Sequence, residues 1–204
     1  MEKSIITLRI LILFICGIHL PVHSQEPYQK LLWGTHFHTC MGVVPAWDSG
    51  FIFSDRTLAK TTNNGEVEWA KNYKVNTWLR SIVKTTDSGY IATGMILYIN
   101  TVTYKIFTIK VDAKGNLIWH KIYGGPNDSD NFSQSICRTS DGNYILGGIT
   151  EYYGMGQDDA YIIKIDSNGS FIWARTIGQE HSEWVNRVKQ DENGNFLVIG
   201  YTRK

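Results

Sequence analysis

The sequence predicts an all-β fold, an array of four-stranded antiparallel sheets stacked side by side, of the β-propeller type. Three observations carry this prediction. A first block, Asp87-Ser88-Gly89-Tyr90-Ile91-Ala92-Thr93-Gly94, returns as Asp141-Gly142-Asn143-Tyr144-Ile145-Leu146-Gly147-Gly148 and, more loosely, as Glu192 to Gly200. A second block, Lys110 to Trp119, returns as Lys164 to Trp173, and both carry Asp-x-x-Gly-x-x-x-Trp. The period is regular: Tyr90 to Tyr144 and Trp119 to Trp173 are each 54 residues, and Tyr144 to Phe196 is 52. A period of this length is the mark of repeated supersecondary units.

The strands read as apolar on both faces. In 144–149, Tyr144 and Leu146 oppose Ile145 and Ile149; in 117–123, Leu117, Trp119 and Tyr123 oppose Ile118 and Ile122. A sheet with one wet face would alternate polar and apolar residues. Apolar residues on both faces call for a neighbouring sheet on each side, as in propeller blades. A two-sheet sandwich or barrel is the alternative, and it does not by itself explain the period. Outside the N-terminus no long segment carries apolar residues at helical spacing.

Each copy reads as four short strands, in the second copy about 79–85, 90–96, 105–112 and 117–123. Asp87-Ser88-Gly89 and Ala113-Lys114-Gly115-Asn116 supply the hairpin turns, because Gly and Asn tolerate positive φ. A worn first copy lies upstream, as Asp48 to Ile52 and Lys60 to Trp69; its Phe51 precedes Tyr90 by only 39 residues because its inner loop is short. The expected units are about 39–73, 79–123 and 133–177, with a partial fourth at 184–204. Trp69, Trp119 and Trp173 recur in one setting and read as structural wedges between sheets, each indole N–H finding a carbonyl. Lys60, Lys110 and Lys164 read as solvated or paired with turn carboxylates.

The first 24 residues read as a secretory signal peptide: Lys3 and Arg9, an apolar run from Ile10 to Ile18, then Val22-His23-Ser24 at the cleavage site. The run is too short to span a bilayer, and Ile15 before Cys16 argues against a lipoprotein leader. The expectation is a secreted chain, periplasmic or at the cell surface, whose repeat domain is 25–204. Lys and Arg number 20 against 19 Asp and Glu, with no basic tract. That balance argues against nucleic acid or an anionic membrane surface as partner. Cys40 and Cys137 fall on the first strands of non-adjacent copies, too far apart for a disulfide; two free, mostly buried thiols are expected.

Candidate chemistry is sparse. His36 and His38 alternate with Cys40, so a strand would set them on one face, where imidazole and thiolate are Zn²⁺ or Cu ligands, although Cys40 would need a kink to join and a polar loop followed by a buried Cys is the plainer reading. Asp128, Asp130 and Asn131 form an acidic loop whose oxygens suit Ca²⁺, although the spacing is not that of an EF-hand and a solvated turn is the plainer reading. Asp158 and Asp159 form a second acidic pair. No Ser/His/Asp set, Gly-x-Ser-x-Gly or phosphate loop appears; the expectation is no cofactor, with Ca²⁺ at the acidic loop as the alternative.

Comparison of the copies is more informative. They agree at 86–89, 112–116, 140–143 and 166–169. They differ at 54–57, 95–105 and 149–159, and at 34–38, 74–78, 124–131 and 178–183. In a meander these two groups of turns lie on opposite rims. Binding is carried by variable loops on a rigid scaffold. Tyr98, Tyr104, Tyr152 and Tyr153 lie on the variable rim, and exposed aromatics there suit carbohydrate or protein contact.

The blocks, taken with Asp159 to Trp173 and the Tyr-Gly-Gly at Tyr123 to Gly125, resemble the β-propeller repeats of secreted bacterial proteins over about residues 28–204. The resemblance implies the repeat type and says little of function. The Asp-x-x-Gly-x-x-x-Trp spacing is also similar to the Trp-docking repeats of quinoprotein dehydrogenases, where such motifs are structural, and the turns to the Asp-box turns of sialidases. Neither resemblance implies a catalytic residue here. The reading is therefore a non-catalytic repeat protein with a binding rim. The alternatives are a hydrolase or lyase on the same scaffold, and a fragment of a longer surface repeat protein.

A last expectation concerns closure. Three complete units and two further strands do not make a ring, and a strand near Gln29 to Trp33 has the wrong direction to fill a third place in the last unit. Phe196 to Tyr201 is then left as a hydrophobic edge. An open arc that pairs with another chain, or a product cut short, is expected.

Overall fold

A computed structural model describes residues 40–126, 129–155 and 157–203. The leader at 1–24, the strand near Gln29 to Trp33, His36, His38 and Asp128 lie outside the described residues. Within them every regular element is a strand, and no helix is long and apolar enough to cross a membrane. The first sheet holds β1 (Gly42–Pro45), β2 (Phe51–Ser54), β3 (Leu58–Thr61) and β4 (Val67–Lys71). The second holds β5 (Thr77–Lys84), β6 (Tyr90–Tyr98), β7 (Thr103–Val111) and β8 (Leu117–Tyr123). The third holds β9 (Asn131–Arg138), β10 (Tyr144–Thr150), β11 (Asp159–Ile165) and β12 (Phe171–Ile177). The fourth has two strands, β13 (Ser182–Gln190) and β14 (Phe196–Arg203). Every pairing is antiparallel between consecutive strands, so each sheet is a meander. The fold is the all-β, propeller-type array that the repeat predicts, and among the described residues its sheets do not close into a ring.

The cores lie between sheets, which is why the middle strands are apolar on both faces. Ile52 and Leu58 of the first sheet meet Leu79, Ile82, Tyr90 and Phe107 of the second. On the far side of that second sheet, Ile91 and Ile106 meet Tyr144, Leu146 and Ile163. Ile145 and Ile162 then meet Val185 and Val188 of the fourth. The innermost strands are tied directly: Ile136 N donates to Ser81 Oγ at 3.2 Å, and Val188 N to Ser135 Oγ at 3.2 Å. These two serines lie 54 residues apart, at the same place in successive copies.

Two bulges recur in register. On the first strand of each later sheet, one extra residue (Arg80, Gln134, Asn186) interrupts the ladder. It brings the carbonyl of Trp78, Phe132 or Trp184 to the place where a Cβ on Gly94, Gly148 or Gly200 would stand. The closing glycine of the first block is thus fixed by a bulge on the neighbouring strand. The second bulge adds Glu68, Ile118 or Ile172 to the fourth strand, directly before the repeated tryptophan.

The fourth strands correct one expectation. Leu117, Ile118 and Ile122 are exposed, as are Phe171, Ile172 and Ile177. These strands form the outer edge of each sheet, where the next sheet reaches chiefly the tryptophan and the residues that follow it on the same face, and the bulge shifts their alternation. The tryptophans are half-buried and pack against a turn of the following sheet. A Cβ on Gly115 would lie 2.8 Å from the Trp69 ring, and one on Gly169 3.0 Å from the Trp119 ring. Tyr73 and Tyr123, four residues on, donate their hydroxyls to the carbonyls of Gly115 and Gly169 at 2.8 and 2.6 Å. Trp119 Nε1 donates to the Ser167 carbonyl at 3.4 Å.

The repeated lysines are paired with the first turns. Lys110 meets Asp87 and Lys164 meets Asp141, each at 2.6 Å, and Lys60 meets Asp48 at 2.8 Å and Glu68. Cys40 and Cys137 are free, as expected, but half-buried. Partial burial pushes both thiols up from their ordinary values.

Candidate functional site

The loops that differ between copies, β2–β3, β4–β5, β6–β7, β8–β9, β10–β11 and β12–β13, share one rim, as the meander requires. The rim between the second and third sheets is built on Lys105 and Asp130. Lys105 is buried, and its ammonium donates to the carbonyls of Gly125, Pro126 and Ser129, holding the loop after β8 against β7. Asp130 Oδ1 accepts from Tyr104 N at 2.7 Å. Its own amide donates to Glu151 Oε2 at 2.8 Å, and its carbonyl accepts from Glu151 N at 2.9 Å. The carboxylate considered as a Ca²⁺ ligand therefore fastens two loops. Among the described residues no group of three or more His, Cys, Asp or Glu is placed to hold a metal ion.

Directly after Glu151 come Tyr152 and Tyr153. Both are exposed and meet edge to face, with ring centroids 4.8 Å apart at 85°. Tyr153 stacks on Tyr161 of β11, centroids 5.5 Å apart. Burial pushes the Tyr161 hydroxyl up to about 12. A cleft of about 470 Å³ opens beside them, lined by Tyr123, Tyr153, Tyr161, Phe171 and Thr176. Tyr104 is joined to this region through Asp130, and its ring meets Trp78 edge-on at 6.1 Å. Tyr98 stands apart at the end of β6, exposed, with no hydrogen bond or ring contact to the other candidate tyrosines.

A second cleft of about 470 Å³ lies further along the rim, lined by Gln157, Asp158, Ser182, Trp184, Tyr201 and Arg203. Asp158 Oδ2 accepts from Trp184 Nε1 at 3.1 Å, and its carbonyl accepts from Glu183 N at 2.7 Å. Trp184 stacks on Tyr201, with centroids 5.9 Å apart at 21°. Asp158 thus lines a cleft, where it anchors an aromatic platform that sequence reasoning missed.

A signal for that platform existed. Trp78, Phe132 and Trp184 open the first strands of three successive sheets, 54 and 52 residues apart. Arg56 lies over Trp78 at 4.8 Å and Arg80 over Phe132 at 5.4 Å, and Phe132 meets Trp184 edge-on at 5.3 Å. Burial lowers the Arg80 guanidinium from its ordinary value, leaving it cationic at any ordinary pH. The rim thus carries a recurring aromatic belt with two guanidinium groups over its rings.

No family model matches the chain, and no curated protein matches it. Solved structures do. The chain is similar to a protein of unknown function from Bacteroides caccae, at 14% identity and a TM-score of 0.51, covering 78% of this chain and 52% of that one. It is similar to the WD40 β-propeller domain of Doa1, at 16% identity and a TM-score of 0.58, covering 85% and 49%. It is also similar to a streptogramin B lyase, at 14% identity and a TM-score of 0.50, covering 78% and 47%. The chain spans about half the length of the structures it matches. At these identities the likeness is one of fold, and it places the chain among β-propeller structures.

Proposed function

We propose that the chain is a secreted, non-catalytic binding protein that holds a carbohydrate or protein ligand on the variable rim of its propeller array, with carbohydrate the better fit. The observation that carries this reading is the pairing of open aromatic surfaces with polar groups at the two rim clefts. Tyr152 and Tyr153 stand exposed beside one cleft. The stacked Trp184 and Tyr201 are flanked by Gln157, Asp158 and Arg203 in the other. A sugar ring offers apolar C–H faces for such platforms and hydroxyls for carboxylate, amide and guanidinium groups around them. The leader-like residues 1–24 support delivery to the periplasm or cell surface.

The test is a panel of oligosaccharides screened against the purified chain, followed by the same screen with Tyr98, Tyr152 and Tyr153 replaced by Ala, and separately with Trp184→Ala. Loss of binding in either variant with a nearly unchanged thermal midpoint supports the reading. Full binding retained in both overturns it.

A further inference from the structure

Cations on the two rims have different partners. On the rim of repeated turns, Lys60, Lys110 and Lys164 each meet a turn carboxylate. On the variable rim, Arg56 and Arg80 meet no carboxylate among the described residues. Arg80 is aimed by the bulge on β5. In an unbroken strand successive side chains point to opposite faces. Here Leu79 and Ile82 face the first sheet, and the extra residue turns two neighbours, Arg80 and Ser81, toward the third. Bulges re-aim side chains in this way. The guanidinium lies over the Phe132 ring, 5.4 Å from its centroid. Its Nη1 donates to Gln134 Oε1 at 2.7 Å, its Nη2 lies 3.8 Å from the Met95 sulfur, and its Nε is buried without an acceptor. A half-buried charge with no carboxylate beside it carries a desolvation cost that one ring face and one amide offset only in part. The same place in the third and fourth sheets holds Gln134 and Asn186, so the fold does not require a cation there.

Arg56, on the β2–β3 loop, is exposed and lies over the Trp78 ring at 4.8 Å. Trp78 in turn meets Tyr104 edge-on at 6.1 Å, and Tyr104 acts electrostatically on Arg80. Two half-buried rings therefore stand between two guanidinium groups that have no counter-charge. The acids of this region are engaged elsewhere. Asp130 Oδ1 accepts from Tyr104 N, and Glu151 Oε2 accepts from Asp130 N. Asp55 is buried, and its charge acts on the Cys40 thiol. The group adjoins both clefts: Tyr104 is tied through Asp130 to the loop that carries Tyr152, and Phe132 meets Trp184 edge-on at 5.3 Å.

On the carbohydrate reading of the rim, on which this rests, we infer that the ligand is an acidic oligosaccharide whose carboxylates are met by Arg56 and Arg80 while its sugar rings lie on the aromatic side chains beside them. Guanidinium groups suit carboxylates because their planar donors match the carboxylate oxygens. A bound carboxylate supplies the counter-charge that Arg80 lacks. The sugar faces supply apolar C–H surface for Trp78, Tyr104 and the platforms of the adjoining clefts.

Titration calorimetry of the purified chain tests this. The probes are oligogalacturonate, oligomannuronate and unsulfated chondroitin oligosaccharides, each beside its methyl-esterified, uncharged form. At least one acid is expected to bind about tenfold or more tighter than its ester, the worth of one charge-assisted hydrogen bond. That preference is expected to shrink as salt rises. Arg80→Gln introduces the residue that the third sheet carries at this place, so the thermal midpoint should stay near that of the parent. It should cost the acid about fivefold or more beyond what it costs the ester. Adding Arg56→Gln should bring acid and ester level. If esters bind as tightly as acids in the parent chain, acidic recognition is overturned while the carbohydrate reading of the rim stands. If no acid and no ester binds, both are overturned. If Arg80→Gln weakens acid and ester alike, Arg80 only packs the joint and the assignment is overturned, as it is if the double variant keeps the preference for acid.

Discussion

Gly142 and Gly169 both sit at positive φ, +81° and +76°, in tight turns of the third sheet, but they differ in what surrounds them. A Cβ at Gly142 meets nothing within 4 Å, whereas one at Gly169 lies 3.0 Å from two atoms of the Trp119 ring and 2.8 Å from Lys121 Cγ. Ala in the left-handed conformation costs about 1–2 kcal/mol at either site. At Gly169 the new methyl also displaces the indole. If the ring loses about 60 Å² of buried surface, at about 25 cal/mol per Å² the added cost is about 1.5 kcal/mol. Gly142→Ala should therefore cost about 1–2 kcal/mol and Gly169→Ala about 3 kcal/mol. Urea denaturation followed by tryptophan fluorescence and circular dichroism measures both, and equal slopes show that the comparison is fair. In the Trp119→Ala background the excess at Gly169 should vanish, because the ring that the methyl strikes is gone. If the two substitutions cost the same within about 0.5 kcal/mol, the tryptophan does not hold the turn and the joint is wrongly described.

Trp173→Ala should destabilise less than Trp119→Ala, by roughly 1–2 against 3 kcal/mol, since among the described residues Trp173 meets Phe196 but no glycine turn; the same denaturation series measures it. Hydrogen bonds from Lys110 and then Thr85 pull the Asp87 carboxyl down to about 2. Lys164 and then Thr139 hold Asp141 well below the ordinary range. Folded values below the unfolded one mean stability that is present above about pH 4 and lost as pH falls toward 2. The partial exposure of both carboxylates makes the loss modest and salt-sensitive. An acid titration should flatten in Asp87→Asn and Asp141→Asn. Tyr161 is raised by burial to about 12, so its contribution is complete below pH 10 and is lost as pH climbs toward 12; absorbance near 295 nm should show an ionisation well above pH 10 that Tyr161→Phe removes. The thiols of Cys40 and Cys137, raised by burial, should react with a disulfide reagent at least tenfold more slowly in the folded chain than in urea.

The fold was legible because a repeat states the same local instruction several times. Tyr90, Tyr144 and Phe196 fix the second strand, and the turns before them set the hairpins. The first copy, although worn, folds as the intact ones do, because Asp48 still finds Lys60 and Trp69 still finds Gly115. Less legible was the outer strand. Leu117 and Ile118 look like core by composition, yet whether an apolar residue is covered depends on the neighbouring sheet, which no single strand records. The bulge at Ile118 also breaks the period-two count that assigned its faces. On the rim, the tyrosine pair at 152–153 could be placed from loop variation alone. Trp184 and Tyr201 could not, because they lie on strands and their approach depends on the pairing of β13 with β14. Asp130 and Asp158 drew notice as acids, but their partners, Tyr104 N and Trp184 Nε1, are 26 residues away in each case.

In the proposed function, ligand is held on the rim where the copies differ. Chemical-shift mapping of the isotope-labelled chain, titrated with the tightest oligosaccharide from the panel, tests it most directly. Perturbations should concentrate at Tyr152, Tyr153, Trp184 and Tyr201, with the turns at 86–89, 112–116, 140–143 and 166–169 unmoved. Perturbations centred on those repeated turns would contradict it.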